Sequence, residues 1–549
     1  MSIFIKYLIT NKYFAVLILV LLSFIFFIGL GHNHLFDWDE INFAESAREM
    51  IESNNYLRVQ INYQSFWEKP PFFFWLQVVS MFFFGINEFA ARFPNAFFGL
   101  IYLLTFFYIG RKHFNQTFGI LWALIFFGSL LPHIYFKSGI IDPIFNYFIF
   151  ISIYFMMIAM DKCHKKKSTY AFLSGIFSGL SVITKGPVGF LLLALTFVTY
   201  TLIKRFKISL HIKYILFFIL GIIIIISTWL SIEYFQNGHD MLIKFIRYQV
   251  ELFNSDVAGH KQPFYYHFLV VFIGCFPISI IALPKLFKKN INTPLDIQKW
   301  MVCIFWVVMI TFSIVTTKII HYSSMSYIPI SFLATLYLNS LINRQIELKK
   351  YVLRLFLFLG LFIGLIITLI PLILINKEII FPYINDDFAI ESLKNHIHWN
   401  GMEFMIGIYF ITGIIVSFIL FKRGKIIKTV ITISSTTGLT LIFILFFIIP
   451  KIEKITQGPV IEFYSSLEDK DVYVECFGYK SYAQYFYTKQ PYGLTNDRLN
   501  KDWLLNGNID KPVYLVSKST NKELDNNKKF KLIKSKGGFR FYKRQNTKN

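Results

Sequence analysis

Residues Lys12–Met50 read KYFAVLILVLLSFIFFIGLGHNHLFDWDEINFAESAREM, an apolar run that ends at Leu30 and gives way to a dense polar stretch. A helix of about 20 predominantly apolar residues crosses the hydrocarbon core of a bilayer. The run therefore reads as a first membrane span that delivers Asp37, Asp39 and Glu40 to one membrane surface. Lys6 and Lys12 precede it and no small-residue cleavage site follows, so it is read as a retained span rather than a signal peptide.

The rest of the chain follows the same pattern. Of 549 residues, 55% are hydrophobic, 16% are charged and 65 are Phe, a balance that excludes a soluble protein. Apolar runs predict thirteen spans near 13–30, 89–110, 116–132, 143–160, 169–184, 187–203, 214–235, 264–284, 300–316, 322–341, 352–375, 402–421 and 429–449. The net charge of +23 tests this count. Alternate loops hold 24 cations against three acids, which places them and the N-terminus in the cytoplasm and the tail outside. In this setting the charge is an orientation signal, and nucleic acid is excluded as a partner.

Three outer segments, 31–88, 236–263 and 376–401, are too long to be turns. The first predicts two helices at the membrane surface, Glu40–Glu52 and Pro71–Phe84, and the second an amphipathic helix carrying Met241, Leu242, Phe245, Ile246 and Val250. The expected organisation is thus a transmembrane domain, 1–450, and a soluble extracytoplasmic domain, 451–549. In the latter, 471–477, 512–517 and 538–542 read as strands of a small α/β fold. Four Cys without a C-x-x-C pair give neither a disulfide scaffold nor a thiolate metal site, and no P-loop is present.

The chemistry is sought among outer polar residues. Asp39 and Glu40 open a helix, where acids complement the macrodipole, and near the headgroups a carboxylate can also accept a proton. In Trp67-Glu-Lys-Pro-Pro71 the two prolines hold Glu68 and Lys69 in a restricted backbone, and Lys69 suits a phosphate. Asp142 at the mouth of a span is costly unless paired or functional.

Taken together, Asp39-Glu40 with Ala44-Glu45 and Arg48-Glu49-Met50, Glu68-Lys69-Pro70-Pro71, Asn87-Glu88-Phe89-Ala90-Ala91-Arg92, Asp142-Pro143, Thr184-Lys185-Gly186-Pro187, Gly259-His260 through Tyr266, and Lys318 through His321-Tyr322 occur in an order that resembles the lipid-linked glycosyltransferases of the GT-C superfamily. Within it the chain is most similar to the aminoarabinose-transferase and protein O-mannosyltransferase-like group. The resemblance covers about Met1 to Pro450 and implies a polytopic α-helical GT-C fold of thirteen spans with outer surface helices and an outer C-terminal domain. It also implies an inverting hexosyl or pentosyl transferase of the inner membrane. Such an enzyme moves a sugar from a polyprenyl-phosphate carrier to a lipid, glycan or protein acceptor, in lipopolysaccharide or protein glycosylation.

The same resemblance makes Asp39 the catalytic carboxylate, with Glu40 and Asp142 beside it. Lys69, Lys185, Arg247 and Lys318 are the cations for the donor phosphate, and Glu68 and Tyr322 touch substrate. No cofactor is required by these motifs, although Glu68 and His260 would offer a carboxylate and an imidazole to a divalent Zn, Mn or Mg ion. The chain departs from the aminoarabinose transferases at Asn42, where they carry Arg, which weakens the assignment of donor and acceptor but not of lipid-phosphate chemistry. The rival reading is a secondary transporter or lipid flippase. That class places ionisable residues at the bilayer midplane on broken helices, whereas these spans keep their charges at the outer ends.

Overall fold

The computed structural model describes residues 3–208, 211–238, 243–248, 262–287, 293–493 and 496–544. Helix α1 (Ile3–Thr10) meets α2 (Lys12–Phe27) at a bend of 105°, and Asn11 caps the second by accepting from the N–H groups of Tyr13 and Phe14. After α2 the chain enters α3 (Asp39–Glu52), whose first turn holds Asp39 and Glu40. A two-residue hairpin, β1 (Gln60–Ile61) with β2 (Gln64–Ser65), leads to α4 (Phe72–Phe84). The two helices expected in this segment are therefore present, and they pack on each other and on α5 (Glu88–His113). Asn87 caps α5 through the Ala90 N–H, and Arg111, Lys112 and His113 complement its C-terminal dipole.

Helices α6 (Gln116–Phe127), α7 (Leu130–Tyr135), α8 (Asp142–Met160), α9 (Lys167–Lys185), α10 (Val188–Ile203) and α11 (Ile212–Asn237) follow. Pro143 in the first turn of α8 has no N–H to leave unpaired. Gly186, at φ 96°, ends α9, and Pro187 precedes α10. Further helices cover Ile297–Ile314, Tyr327–Ile342, Lys350–Ile375, Met405–Lys422 and Ile426–Thr456.

The protein is a multi-pass membrane protein, but the count of thirteen is not fixed. Among the described residues eight helices are long and apolar enough to cross, or ten if two bent pairs each count as one span. The second pair, Tyr266–Gly274 and Ile278–Leu286, bends by 115°. Of the other expected spans, α6 and α10 are shorter apolar helices of 12 and 16 residues, and α9 carries Ser, Thr and Lys that lower its apolarity.

The tail holds a four-stranded sheet in the order β3 (Tyr473–Phe477), β4 (Val513–Lys518), β6 (Phe539–Arg544), β5 (Lys531–Lys536), with β3 and β4 parallel and the other pairs antiparallel. Strand β5 was not expected, because its KLIKSK sequence is an exposed edge without an apolar face. The chain passes position 450 inside the helix that ends at Thr456, and Val460, Ile461, Tyr464, Tyr482 and Tyr485 join the same apolar core as the membrane helices.

Small residues permit the tightest helix contacts. A Cβ added to Gly175 on α9 would lie 2.0 Å from the Phe218 carbonyl oxygen of α11, and one on Gly221 would lie 2.5 Å from the Phe172 carbonyl oxygen. The substitution Gly175→Val should force these helices apart, lowering the thermal midpoint of the purified protein in detergent. Gly424→Ala, in open space at φ 68°, should have a smaller effect despite its backbone strain.

Candidate active site

The site is assembled around one buried ion pair. Arg92 of α5 donates from Nε and Nη2 to the two carboxylate oxygens of Glu40, each at 2.8 Å. Glu40 also accepts from the Phe36 N–H at 2.9 Å and the Gly139 N–H at 2.6 Å. The remaining Arg92 donors reach the carbonyls of Leu30, Asn33 and His34. Burial pushes the Glu40 carboxyl up, but the Arg92 guanidinium and the two N–H donors outweigh it and hold it below the usual carboxylate range. Glu40, expected as a second catalytic carboxylate, is instead an anchor, since both its oxygens are occupied by four donors.

The anchor fixes Asp39 at the start of α3 and, through Gly139, the turn that leads to Asp142. Asn95 of α5 holds the same turn by donating to the Ser138 and Ile140 carbonyls, both at 2.6 Å. Asp142 Oδ1 receives Lys185 Nζ at 2.6 Å, from the end of α9. His321, on the 3-10 turn Ile320–Ser326, stands between the two aspartates. Its Nε2 lies 3.5 Å from Asp39 Oδ2 and 3.9 Å from Asp142 Oδ2. The Lys185 ammonium also sits 5.3 Å from the centre of the Tyr322 ring.

Lys69 lies within electrostatic reach of Asp142 and His321, and Tyr322 within reach of Asp142, Asp39 and Glu68. Asp39, Glu68, Lys69, Asp142, Lys185 and Tyr322 thus come together. Glu68 accepts from Tyr248 at 3.1 Å and stands 3.8 Å from Lys69. Lys318 is buried and donates to the Val315 carbonyl at 2.6 Å, near His267. Arg247 is exposed on the helical segment 243–248. His260 lies outside the described residues, and among those described no group of three or more His, Cys, Asp or Glu side chains gathers as a metal set.

His321, quoted within a motif, was given no role by sequence reasoning. Its signal was its place between Lys318 and Tyr322 at the head of a span. A cavity beside Lys69 was also unforeseen. Arg58, Trp67, Trp229 and Phe245 line it, and the buried Arg58 Nε and Trp229 Nε1 have no hydrogen-bond partner among the described residues.

Three comparisons bear on this geometry. The family model described as dolichyl-phosphate-mannose-protein mannosyltransferase matches residues 68–232. An undecaprenyl phosphate-alpha-4-amino-4-deoxy-L-arabinose arabinosyl transferase from Wigglesworthia glossinidia brevipalpis is 26% identical over 328 residues, which are 58% of this chain and 58% of that relative's length. A transferase of the same name from Pectobacterium carotovorum is 24% identical over 60% of this chain and 59% of its own length. The crystal structure of ArnT from Cupriavidus metallidurans bound to undecaprenyl phosphate superposes with a TM-score of 0.76 at 17% identity, covering 97% of this chain and 98% of that one. The chain has the GT-C fold. The likeness to ArnT extends through the C-terminal sheet, so the GT-C resemblance read from the motifs holds for the architecture of the whole chain.

The C-terminal domain is clasped to the site. Arg48, in a bidentate pair with Glu45 at 2.7 Å, also donates to the Gln490 carbonyl, as does the Tyr63 hydroxyl at 2.7 Å. His34 pairs with Glu453, and Gln457 donates to the Leu35 carbonyl at 2.8 Å.

Three groups in this clasp have raised pKa values. Burial pushes the Asp37 carboxyl up to about 6, although part of the residue meets solvent, while Ser481 and the Tyr482 N–H pull it the other way. Burial, followed by the neighbouring Glu45, raises Glu49 well above the carboxylate range. The hydrogen bond to Glu453 raises His34 above 6.5. A raised folded-state pKa contributes stability that is full below the unfolded value and lost as pH rises through the folded one. For Asp37 the loss runs from 3.8 to about 6, and for His34 it begins near 6.5, so both have the same sign.

The thermal midpoint should therefore fall between pH 5 and pH 8, and the double substitution His34→Gln, Asp37→Asn should flatten that slope; an unchanged slope would show that other groups govern it. Separately, Glu40→Gln should destabilise the protein by about 3–5 kcal/mol, because it leaves the Arg92 charge buried without its partner. Chemical denaturation of the two purified proteins measures this loss.

Proposed function

We propose that this protein is a glycosyltransferase that moves a sugar from a polyprenyl-phosphate carrier to an acceptor at the outer face of the cytoplasmic membrane. The observation that carries the reading is the convergence of Asp39, Asp142, Lys185 and His321 next to Lys69. The N-terminus then lies in the cytoplasm and the C-terminal domain outside, as the alternation of loop charge supports. The names of the similar transferases, which specify undecaprenyl phosphate, agree in chemistry, although the chain spans less than two thirds of the length of those two.

In the proposed reaction the acceptor hydroxyl attacks the anomeric carbon as the carbon–oxygen bond to phosphate breaks. The electron pair of that bond leaves on the polyprenyl phosphate. Asp39 takes the hydroxyl proton or orients the hydroxyl, and a single displacement inverts the carbon. Lys69 and Lys185 hold the phosphate charge as it develops. The cavity beside Lys69 supplies two unpaired donors, Arg58 Nε and Trp229 Nε1, among aromatic walls suited to a lipid headgroup. Asp142 positions Lys185 and, with Asp39, His321. Lys318 and Arg247 are assigned to the periphery of the phosphate site. Any divalent ion at Glu68 would need ligands beyond the described residues.

Transport has no such support, since these ionisable groups gather at the outer ends of the helices rather than along them. In a strain lacking the gene, mass spectrometry of envelope lipids and glycoproteins should reveal a missing sugar. The wild-type gene should restore it and Asp39→Asn should not, with a loss of about 10²–10⁴-fold in transfer. Native mass spectrometry of the purified protein should show bound undecaprenyl phosphate, weakened by the double substitution Lys69→Ala, Lys185→Ala but retained in Asp39→Asn. Restoration of the sugar by Asp39→Asn would overturn the role of that residue.

A further inference from the structure

Among the described residues, His321 is the group that stands in ion-pair range of both aspartates of the site. It lies in the 3-10 turn Ile320–Ser326, which opens the helix Tyr327–Ile342, and Ser324 of that turn accepts from Asn146 Nδ2 at 2.8 Å. Asn146 is one helical turn beyond Asp142 on α8, so the turn that carries the imidazole is pinned to the helix that carries the carboxylate. The imidazole forms part of the wall of the site. Its side chain is 14% exposed, between Asp142 at 6% and Asp39 at 32%.

The lengths of its two contacts separate a fastening role from a chemical one. Nε2 is 3.5 Å from Asp39 Oδ2 and 3.9 Å from Asp142 Oδ2, both longer than a direct hydrogen bond. A ring that served only to fasten α3 to α8 would close on at least one of these carboxylates. Asp142 needs no such partner, since Lys185 Nζ meets its Oδ1 at 2.6 Å. The imidazole is thus steered by both charges and fixed by neither, and a small displacement brings Nε2 to Asp39.

Sugar transfer leaves a proton to be moved. The donor is a phosphodiester with one negative charge, and the products are the glycoside, a polyprenyl phosphate dianion and the proton that Asp39 has taken from the hydroxyl. Asp39 has to lose that proton before the next acceptor arrives, and among the described residues its ion-pair partner is His321 alone. A phosphate monoester dianion takes up a proton at about pH 6 and an ordinary imidazole at about pH 6.5, so the two exchange a proton at little cost. The ammonium groups that hold the phosphate already carry their protons and cannot accept another.

We propose that His321 carries the proton of each transfer from Asp39 to the departing polyprenyl phosphate. The Asp39 carboxyl gives its proton to Nε2, which restores the carboxylate and makes the ring an imidazolium. The imidazolium then protonates a phosphate oxygen beside Lys69 and Lys185 and returns to the neutral ring. Charge balances over the cycle, since a donor monoanion enters and a phosphate monoanion departs. The charged and titratable groups facing His321 are Asp39 of α3, Asp142 of α8, Lys185 of α9, Lys69 ahead of α4, His267 of the helix Tyr266–Gly274, and Tyr322 of its own turn. Two carboxylates stand against two lysines at rest, so the phosphate dianion formed in the reaction is the charge that favours the imidazolium. This rests on the transferase reading with Asp39 as the base.

The test follows His321 in the full chain in detergent. With histidine labelled with 13C at Cε1, its resonance is the one of twelve that disappears in His321→Gln. Its titration is recorded with and without undecaprenyl phosphate, whose binding is checked by native mass spectrometry. Bound phosphate should raise the titration midpoint by about one pH unit, a tenfold gain in proton affinity. A midpoint that stays in place with phosphate bound would overturn the proposal, whereas no binding of undecaprenyl phosphate would overturn the transferase reading from which it starts. A second measurement uses the strain lacking the gene and follows how fast the missing sugar returns once the gene is induced. His321→Gln keeps polar groups that can bridge the carboxylates but carries no proton. It should slow the return by about 10²-fold, at an unchanged thermal midpoint and unchanged affinity for undecaprenyl phosphate. Near-normal return in His321→Gln, with loss only in His321→Ala, would show that the ring merely holds the aspartates or that water clears the proton, and either result overturns the proposal. If the variants lose stability, the titration of the unaltered chain decides.

Discussion

The Glu40–Arg92 pair is the interaction on which the rest depends. A carboxylate and a guanidinium taken out of water are costly, and their attraction compensates only when the remaining donors and acceptors are also met. Here they are met by backbone from separate parts of the chain. Glu40 receives N–H groups from Phe36 and Gly139, and Arg92 donates to the carbonyls of Leu30, Asn33 and His34. One pair thereby joins the exit of the first span, the start of α3, the body of α5 and the turn into α8. Asp39 is the residue before Glu40, and Asp142 comes three after Gly139. The separation of the two aspartates is thus set by a structure that takes no part in the proposed chemistry.

Successive residues on a helix point about 100° apart, and this explains why Asp39 and Glu40 were misjudged as a pair. Sequence adjacency placed both at the site, but only one can face it. The apolar runs were legible because a bilayer demands length and apolarity, which hydropathy records directly. The bends of 105° at Asn11 and 115° between Gly274 and Ile278 were not, because hydropathy carries no direction. Lys69, Asp142 and Lys185 were readable as charges stranded at span ends. His321 was harder, since an imidazole beside Tyr322 also reads as an interfacial residue. The contacts of Lys480 and Tyr482 with Trp38 were invisible, as more than four hundred positions separate them and no local pattern spans such a distance.

The charge of +23 has the same divided character. The loops that the alternation of charge assigns to the cytoplasm account for +21, the remaining loops and spans for −6, and the tail for +8. The part on the side assigned as outer is therefore acidic, and four of its cations near the site stand against carboxylates. Lys185 is on Asp142, Lys69 is near Glu68, and Arg48 and Arg92 are committed to buried carboxylates. A surface organised in this way would repel a free anion until it reached the lysines.

This arrangement bears on how Asp39 becomes available. Lys185 and Lys69 would repel each other if left without anions, and Asp142 and Glu68 supply the compensation at rest. The two aspartates are held unequally: Asp142 holds Lys185 at 2.6 Å, whereas the contact of Asp39 with His321 is 3.5 Å, longer than a direct hydrogen bond. A phosphate entering beside Lys69 offers the lysines a further charged acceptor. Of the two aspartates, the one held more loosely is Asp39. With the lysines engaged by a donor phosphate, Asp39 would be the less encumbered of the two aspartates for the acceptor hydroxyl.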